Sequence, residues 1–203
     1  MEEIKNALFS LNADFAPGLD GFSGPFYQHF WSLIGQEVVN STQQFFTNNY
    51  ILPNMNSNLL ILVPKVPGAD KLELFRPIAL ANFQFKIITK ILADRLGVIA
   101  SRIVCPQQRG FIPGRQALDC ILLASEAVNL LGHKSFGGNM AIKIYISKAF
   151  DTMEWTFLLL VLRRFRCNNC LCNWIHTILK TAMLLVSVNG KSTDYFACSR
   201  GVR

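Results

Sequence analysis

Two short apolar runs and one long helical stripe follow each other almost without pause between Leu59 and Ile103, and no other stretch limits the available folds as much. Leu59-Leu60-Ile61-Leu62-Val63, closed by Pro64, reads as a buried strand. After a loop through Pro67-Gly68-Ala69-Asp70, a second strand is predicted around Arg76-Pro77-Ile78-Ala79-Leu80. Pro77 has no N–H to give a ladder, so that strand belongs at a sheet edge or begins there. Asn82 is placed to cap a helix on which Phe85, Ile88, Leu92, Leu96, Ile99 and Ile103 share one side, and Cys105-Pro106 stops it.

The flanking sequence is read in the same way. The turn formers from Ala16 to Gly24 predict a tight loop into a helix carrying Phe26, Phe30, Ile34 and Val38 on one stripe and ending near Asn48-Asn49. Gln107 to Arg115 is a Gly/Pro loop, Gln116 to Leu131 is helical by its spacing, and Gly132 to Asn139 breaks the chain again. Residues 139–146 alternate as a strand, while Trp155 to Phe165 and Cys172 to Met183 read as helices. Leu184 to Val188 pairs naturally with Thr193 to Ala197 across Asn189-Gly190, with the register left open. Helices and mostly antiparallel strands without βαβ regularity predict an α+β fold.

A hydrophobic share of 51% over 203 residues supports a real core and excludes wholesale disorder. Mean hydropathy of +0.28 raises the question of a membrane. No uncharged apolar run approaches the roughly 18 residues that span a bilayer, and Met1-Glu2-Glu3-Ile4-Lys5 is unlike a secretory leader. The expected location is intracellular, cytoplasmic or nuclear. Six cysteines do not form a secreted disulfide framework. Cys167-x-x-Cys170-x-Cys172 with His176 nearby looks like a metal-ligand run, but lacking a second pair it reads as buried or incidental thiols.

The net charge of +7 is unevenly distributed. Lys65 to Arg115 holds nine bases (Lys65, Lys71, Arg76, Lys86, Lys90, Arg95, Arg102, Arg109, Arg115) against three acids (Asp70, Glu73, Asp94), so +6 of the +7 lies there. A polyanionic partner is the natural inference. Lys86, Lys90 and Asp94 recur at helical spacing and read equally as a solvated helix face.

Four stretches together resemble the reverse transcriptase of plant-type non-LTR (LINE-like) retrotransposons: "APGLDGFSGPFY" (16–27), "LILVPKVPGADKLELFRPIALANFQFKIITKILADRL" (60–96), "PQQRGFIPGR" (106–115) and "AIKIYISKAFDTMEW" (141–155). "CSRGVR" at the end looks like the start of the next block. The resemblance implies a partial right-hand polymerase, with 1–58 as an N-terminal helical extension, 59–138 as fingers and 139–203 as the first part of the palm, the rest of palm and thumb lacking. It implies nucleotidyl transfer on an RNA template and RNA–DNA hybrid with a deoxynucleoside triphosphate, and two Mg²⁺ ions about 3.5–4 Å apart held by carboxylates.

Carried over position by position, the resemblance assigns Lys65 and Arg76 to the incoming triphosphate, which an ammonium and a guanidinium would neutralise and orient. Phe150 matches the ring that excludes a ribose 2′-hydroxyl. Gln108, Gly110, Phe111, Gly114 and Arg115 match a block lying along the template, where glycines allow close backbone approach; Phe111 either stacks or packs, packing being the commoner role. Asp151 caps the following helix rather than binding metal. Tyr145 stands where the resemblance places the metal-binding aspartate, and a phenol of pKa about 10 is neutral at pH 7 and balances no cation. The Asp-Asp hairpin that would supply the second carboxylates is not in the sequence. The expectation is therefore a chain of polymerase ancestry that binds no metal productively and has lost activity. The alternatives are a non-catalytic RNA- or DNA-binding module and a coding remnant without function.

Overall fold

A computed structural model describes residues 1–202. The chain forms a mixed helix-and-sheet fold in two compact units, one comprising Met1–Leu92 with the residues from Ala149 onward, the other Ala93–Lys148.

In the first unit, helices α1 (Glu2–Ser10), α2 (Gly24–His29) and α3 (Trp31–Asn48) precede strands β1 (Ser57–Pro64) and β2 (Phe75–Ala81), which lead into α4 (Phe83–Ile103). After the second unit come α6 (Ala149–Thr152), α7 (Trp155–Arg164), α8 (Asn169–Thr181), β3 (Met183–Val188), β4 (Lys191–Ser192) and β5 (Phe196–Ala197). The strand order is β2-β1-β3-β4, with β5 also beside β3. β1 runs antiparallel to β2 and parallel to β3. β2 lies at the edge, as Pro77 requires.

The first turns of α4 organise this unit because they are apolar on two sides. Phe83, Ile87 and Ile91, four residues apart, face Ile4, Leu8, Tyr27 and Val39 from the N-terminal helices. Phe85, Ile88 and Leu92 join Phe45, Ile51 and Met55 in a second cluster, with Leu171, Trp174 and Ile178 of α8 packed against it. Beyond Leu92 the helix has no buried residue, and the boundary between the units falls there. In the second unit, α5 (Ala117–Leu130) also has no buried residue.

Several expectations need correction. The single helix expected after Ser23 is two, interrupted at Phe30, whose ring lies 5.0 Å from that of Phe26 one turn earlier. α8 starts earlier than Cys172 because the Asn168 side chain accepts from the Leu171 amide at 2.8 Å and caps it. Residues 139–146 form no strand. Their alternation is suited to a sheet, but among the described residues no strand pairs with them, and Ile142, Ile144 and Ile146 are exposed. The hairpin at Asn189-Gly190 is present, with φ of +51° and +76° as a two-residue primed turn requires. Its register is now fixed: Val188 faces Lys191 and Ser187 faces Ser192, whereas Leu184 faces Phe196, so the returning strand bulges by one residue.

Tyr27 links packing to pH. Its ring stacks on Phe83 with centroids 5.3 Å apart, and burial, then the negative charge of Asp20, pushes its pKa from 10.0 up to about 12. A raised folded-state pKa means a contribution present below the unfolded value and lost as pH climbs through the folded one. Stability is therefore expected to fall between pH 10 and about 12. In a series of urea titrations at rising pH, Tyr27→Phe should flatten that decline; an identical decline in the variant would assign it to other groups.

Candidate functional site

The face of the sheet carrying Asn58, Leu60, Ala79 and Leu184 floors a cleft of about 360 Å³. Phe85 and Thr89 of α4 and Ile178 of α8 wall it on one side, and Phe150, Asp151 and the segment 200–202 wall it on another. This second wall is sewn together by backbone bonds. Val202 donates to the Phe150 carbonyl and Gly201 to that of Met153, both at 2.8 Å, while Trp155 Nε1 donates to the Gly201 carbonyl at 2.6 Å. Only glycine suits this approach, because Gly201 has φ +87° and a Cβ would lie 3.0 Å from the carbonyls of Phe150 and Asp151.

The floor's polar groups are largely satisfied from within. Asn56 donates through Nδ2 to the Ile178 carbonyl (2.7 Å) and to Thr181 Oγ1 (3.0 Å), and Asn58 Nδ2 donates to the Asn56 carbonyl at 3.1 Å. The cleft is thus mainly apolar, and its charged lining residues are Asp151 and Arg200. It suits a planar or hydrophobic group with an ionic end.

Of the residues singled out from the sequence, Phe150 lines this cleft and is 55% exposed. Lys65 and Arg76 do not line it. They lie at the far end of the β1–β2 pair, two positions out of register, where Lys65 N donates to the Leu74 carbonyl at 2.8 Å and Arg76 pairs opposite Val63. Pro77 and Ala79 face the cleft, so strand alternation directs Arg76 to the other face of the sheet. The Lys65 ammonium donates to the Glu73 carbonyl at 2.6 Å.

The remaining candidates belong to the second unit. Gln108 Nε2 donates to the Gly110 carbonyl at 3.4 Å, and Gly114 has φ +77°. Phe111 does not pack, correcting the commoner expectation: it is 96% exposed and held at φ +63°, a conformation disfavoured for a non-glycine residue. Arg115 donates through one terminal nitrogen to the carbonyls of Cys105 and Gln108, both at 2.7 Å, and through the other to those of Ser101 and Val104, both at 3.0 Å. Its guanidinium holds the loop 105–108 to the end of α4. Tyr145 is 80% exposed, on the unpaired segment.

Sequence reasoning missed Arg200 and the stitched wall around Gly201. The local signal was the Arg-Gly pair before Val202, but its partners lie some 50 residues upstream, from Phe150 to Trp155. Lys86 was legible only as part of a solvated helix face. In the structure Lys86 donates to the Ala16 carbonyl at 2.9 Å, sits over the Phe15 ring, and has its pKa lowered by burial against the opposing pull of Asp20.

Comparison with known proteins adds to this geometry. Residues 63–203 match the family described as reverse transcriptase (RNA-dependent DNA polymerase). The full chain is 26% identical over 204 residues to the transposon TX1 uncharacterized 149 kDa protein of Xenopus laevis, covering 15% of that protein. Over 70% of its length it is 30% identical to the retrovirus-related Pol polyprotein from the type-1 retrotransposable element R2 of Nasonia vitripennis, of which it covers 14%. It is 26% identical to the corresponding polyprotein from the type-2 element R2DM of Drosophila melanogaster, covering 13%. The chain therefore spans only a small fraction of the curated relatives it matches.

Proposed function

The chain belongs to the reverse transcriptase (RNA-dependent DNA polymerase) family, with non-LTR retrotransposon proteins among its relatives, and from that premise we propose that it is the fingers and first palm portion of a plant-type element's polymerase that holds nucleic acid without performing transfer. In this reading 1–58 is a helical extension, 59–138 fingers-like and 139–203 partial palm. The cleft bounded by Phe150 takes the sugar and base of a deoxynucleoside triphosphate. Lys65 and Arg76, at the far end of the β1–β2 pair and outside that cleft, meet phosphates of the bound nucleic acid instead of those of the nucleotide. The loop with Gln108, Gly110, Phe111 and Gly114 runs along an RNA template or RNA–DNA hybrid, Phe111 offering a bare ring for stacking and Arg115 keeping the loop in shape.

The observation that carries this reading is the stitched wall of the cleft, which brings Phe150 against the 200–202 segment as a sugar-facing site needs. The residues present do not fit a two-Mg²⁺ site. The position of the expected carboxylate is a phenol, and no group of three or more His, Cys, Asp or Glu side chains suited to a metal occurs among the described residues. The mechanism is accordingly limited to binding: cations neutralise phosphates and an apolar cleft shelters the rest. No helix among the described residues is long and apolar enough to cross a membrane.

The test pairs binding with synthesis. The chain is expected to bind an RNA–DNA hybrid in a salt-sensitive manner, with Lys65→Ala/Arg76→Ala weakening it about tenfold. Primer extension with Mg²⁺ or Mn²⁺ should stay at the no-protein baseline; DNA synthesis above it would overturn the inactivity. A second reading, a coding remnant, is favoured by the exposure of Phe136, Met140 and Ile144 in the second unit. Absence of a cooperative unfolding transition would support it instead.

A further inference from the structure

Helix α7 stops in a way its sequence resists. Arg166 N donates to the Arg163 carbonyl at 2.9 Å and Cys167 N to that of Leu162 at 3.0 Å, the paired bonds of a helix stop whose pivot residue turns left-handed. The pivot is Arg166, at φ +60°. Glycine takes this conformation freely and an L side chain is disfavoured in it. Arg163 and Arg164 occupy the last helical turn, where the helix dipole favours cations, but Arg166 lies beyond it, so the dipole does not account for the third guanidinium.

The flanking sequence carries charges of one sign only. From Trp155 to Thr193 the chain has no Asp or Glu, and it carries Arg163, Arg164, Arg166, Lys180 and Lys191. Glu154 begins at the opposite end of α7, roughly 15 Å from Arg164 at 1.5 Å per residue. All three arginines are exposed, and no salt bridge engages them among the described residues. Phe165 stands between them and is 47% exposed.

We propose that this corner, Arg163, Arg164 and Arg166 around Phe165, binds single-stranded nucleic acid. Guanidinium forks grip phosphate oxygens, and an exposed ring between them offers a stacking face that any base accepts. The ring favours a polyanion that carries bases over a lipid headgroup. The inference rests on the nucleic-acid reading above for the kind of polymer, but uses none of the residues assigned there.

The experiment measures fluorescence anisotropy of a labelled short oligouridylate across a salt series, with the intact chain and three variants. Arg163→Ser/Arg164→Ser should weaken binding about tenfold and lower the salt slope by about 1.4, two phosphates at about 0.7 each. Arg166→Gly should weaken binding several-fold while raising the thermal midpoint by about 2–4 °C, opposite signs that a merely structural role does not produce. Lys65→Ala/Arg76→Ala separates the two ideas. If it weakens binding while the α7 variants leave affinity and slope unchanged, this inference falls and the earlier reading stands. If the unaltered chain binds no RNA, both fall. Binding to phosphatidylserine vesicles that depends on Arg163 and Arg164, without RNA binding, would make the corner a membrane contact and overturn the proposal.

Discussion

Gly18→Ala is expected to lift the N-terminal loop off the body of the protein and cost about 3 kcal/mol or more, combining an overpacked site with a stranded buried amide. A Cβ at Gly18 would lie 2.3 Å from Asn82 Oδ1, 2.4 Å from Asn82 N and 2.6 Å from Ala81 C. The last two are backbone atoms where β2 passes into α4 and cannot swing aside. Nor is Asn82 free to turn: it is 6% exposed, its Nδ2 donates to the Asn54 carbonyl at 3.0 Å, and its Oδ1 accepts from Asp20 N at 3.3 Å. The loop must therefore move, releasing the Lys86 bond to Ala16 and the Lys86–Phe15 contact along with it. Urea unfolding of Gly18→Ala beside the unaltered protein decides the matter, and an unchanged midpoint would mean that the loop has slack the geometry does not reveal.

Arg115→Ala is expected to loosen the second unit by about 2–3 kcal/mol, because charge-assisted hydrogen bonds to four carbonyls disappear at once and water recovers only part of the loss. The carbonyls of Ser101, Val104 and Cys105 lie at the negative end of α4, so the lost charge also removes a favourable dipole interaction. Arg115→Lys should recover less than half the difference, since one ammonium cannot span two pairs of acceptors as a planar fork does. Amide hydrogen exchange over residues 98–116 is the measurement. Protection unchanged in Arg115→Ala would show that the loop is held by something other than the guanidinium.

Local signals were enough where an element's own residues supply what it needs. Pro77 announced an edge strand, Asn189-Gly190 a primed turn, and the stripe from Phe85 to Ile103 a long helix, because each depends on backbone restriction or spacing alone. The reading failed where a distant partner decides. Residues 139–146 have a strand's alternation but no neighbour to pair with, so β-propensity found nothing to act on. Arg115 looked like a free cation suited to a polyanion, and only the fold reveals four carbonyls around it. The cleft was half legible: Phe150 could be singled out, but the pairing of its carbonyl with Val202 N spans 52 positions and leaves no local trace.

The parallel pairing of β1 with β3 has a consequence for the order in which the molecule is born. Asn56 and Ile178, bonded at 2.7 Å, are 122 residues apart, and the whole second unit is synthesised between them. At roughly 5–20 residues per second, β1 waits about 6–25 s for its inner neighbour, holding an apolar hairpin with one ladder unfilled. Loop closure of that length makes completion of the sheet a late step of folding, after α4 has emerged and packed on α1 to α3. The nascent chain thus passes through a stage in which the edge of β1 is available to any passing strand, and a chaperone that shields extended apolar segments would govern its yield more than its final stability does.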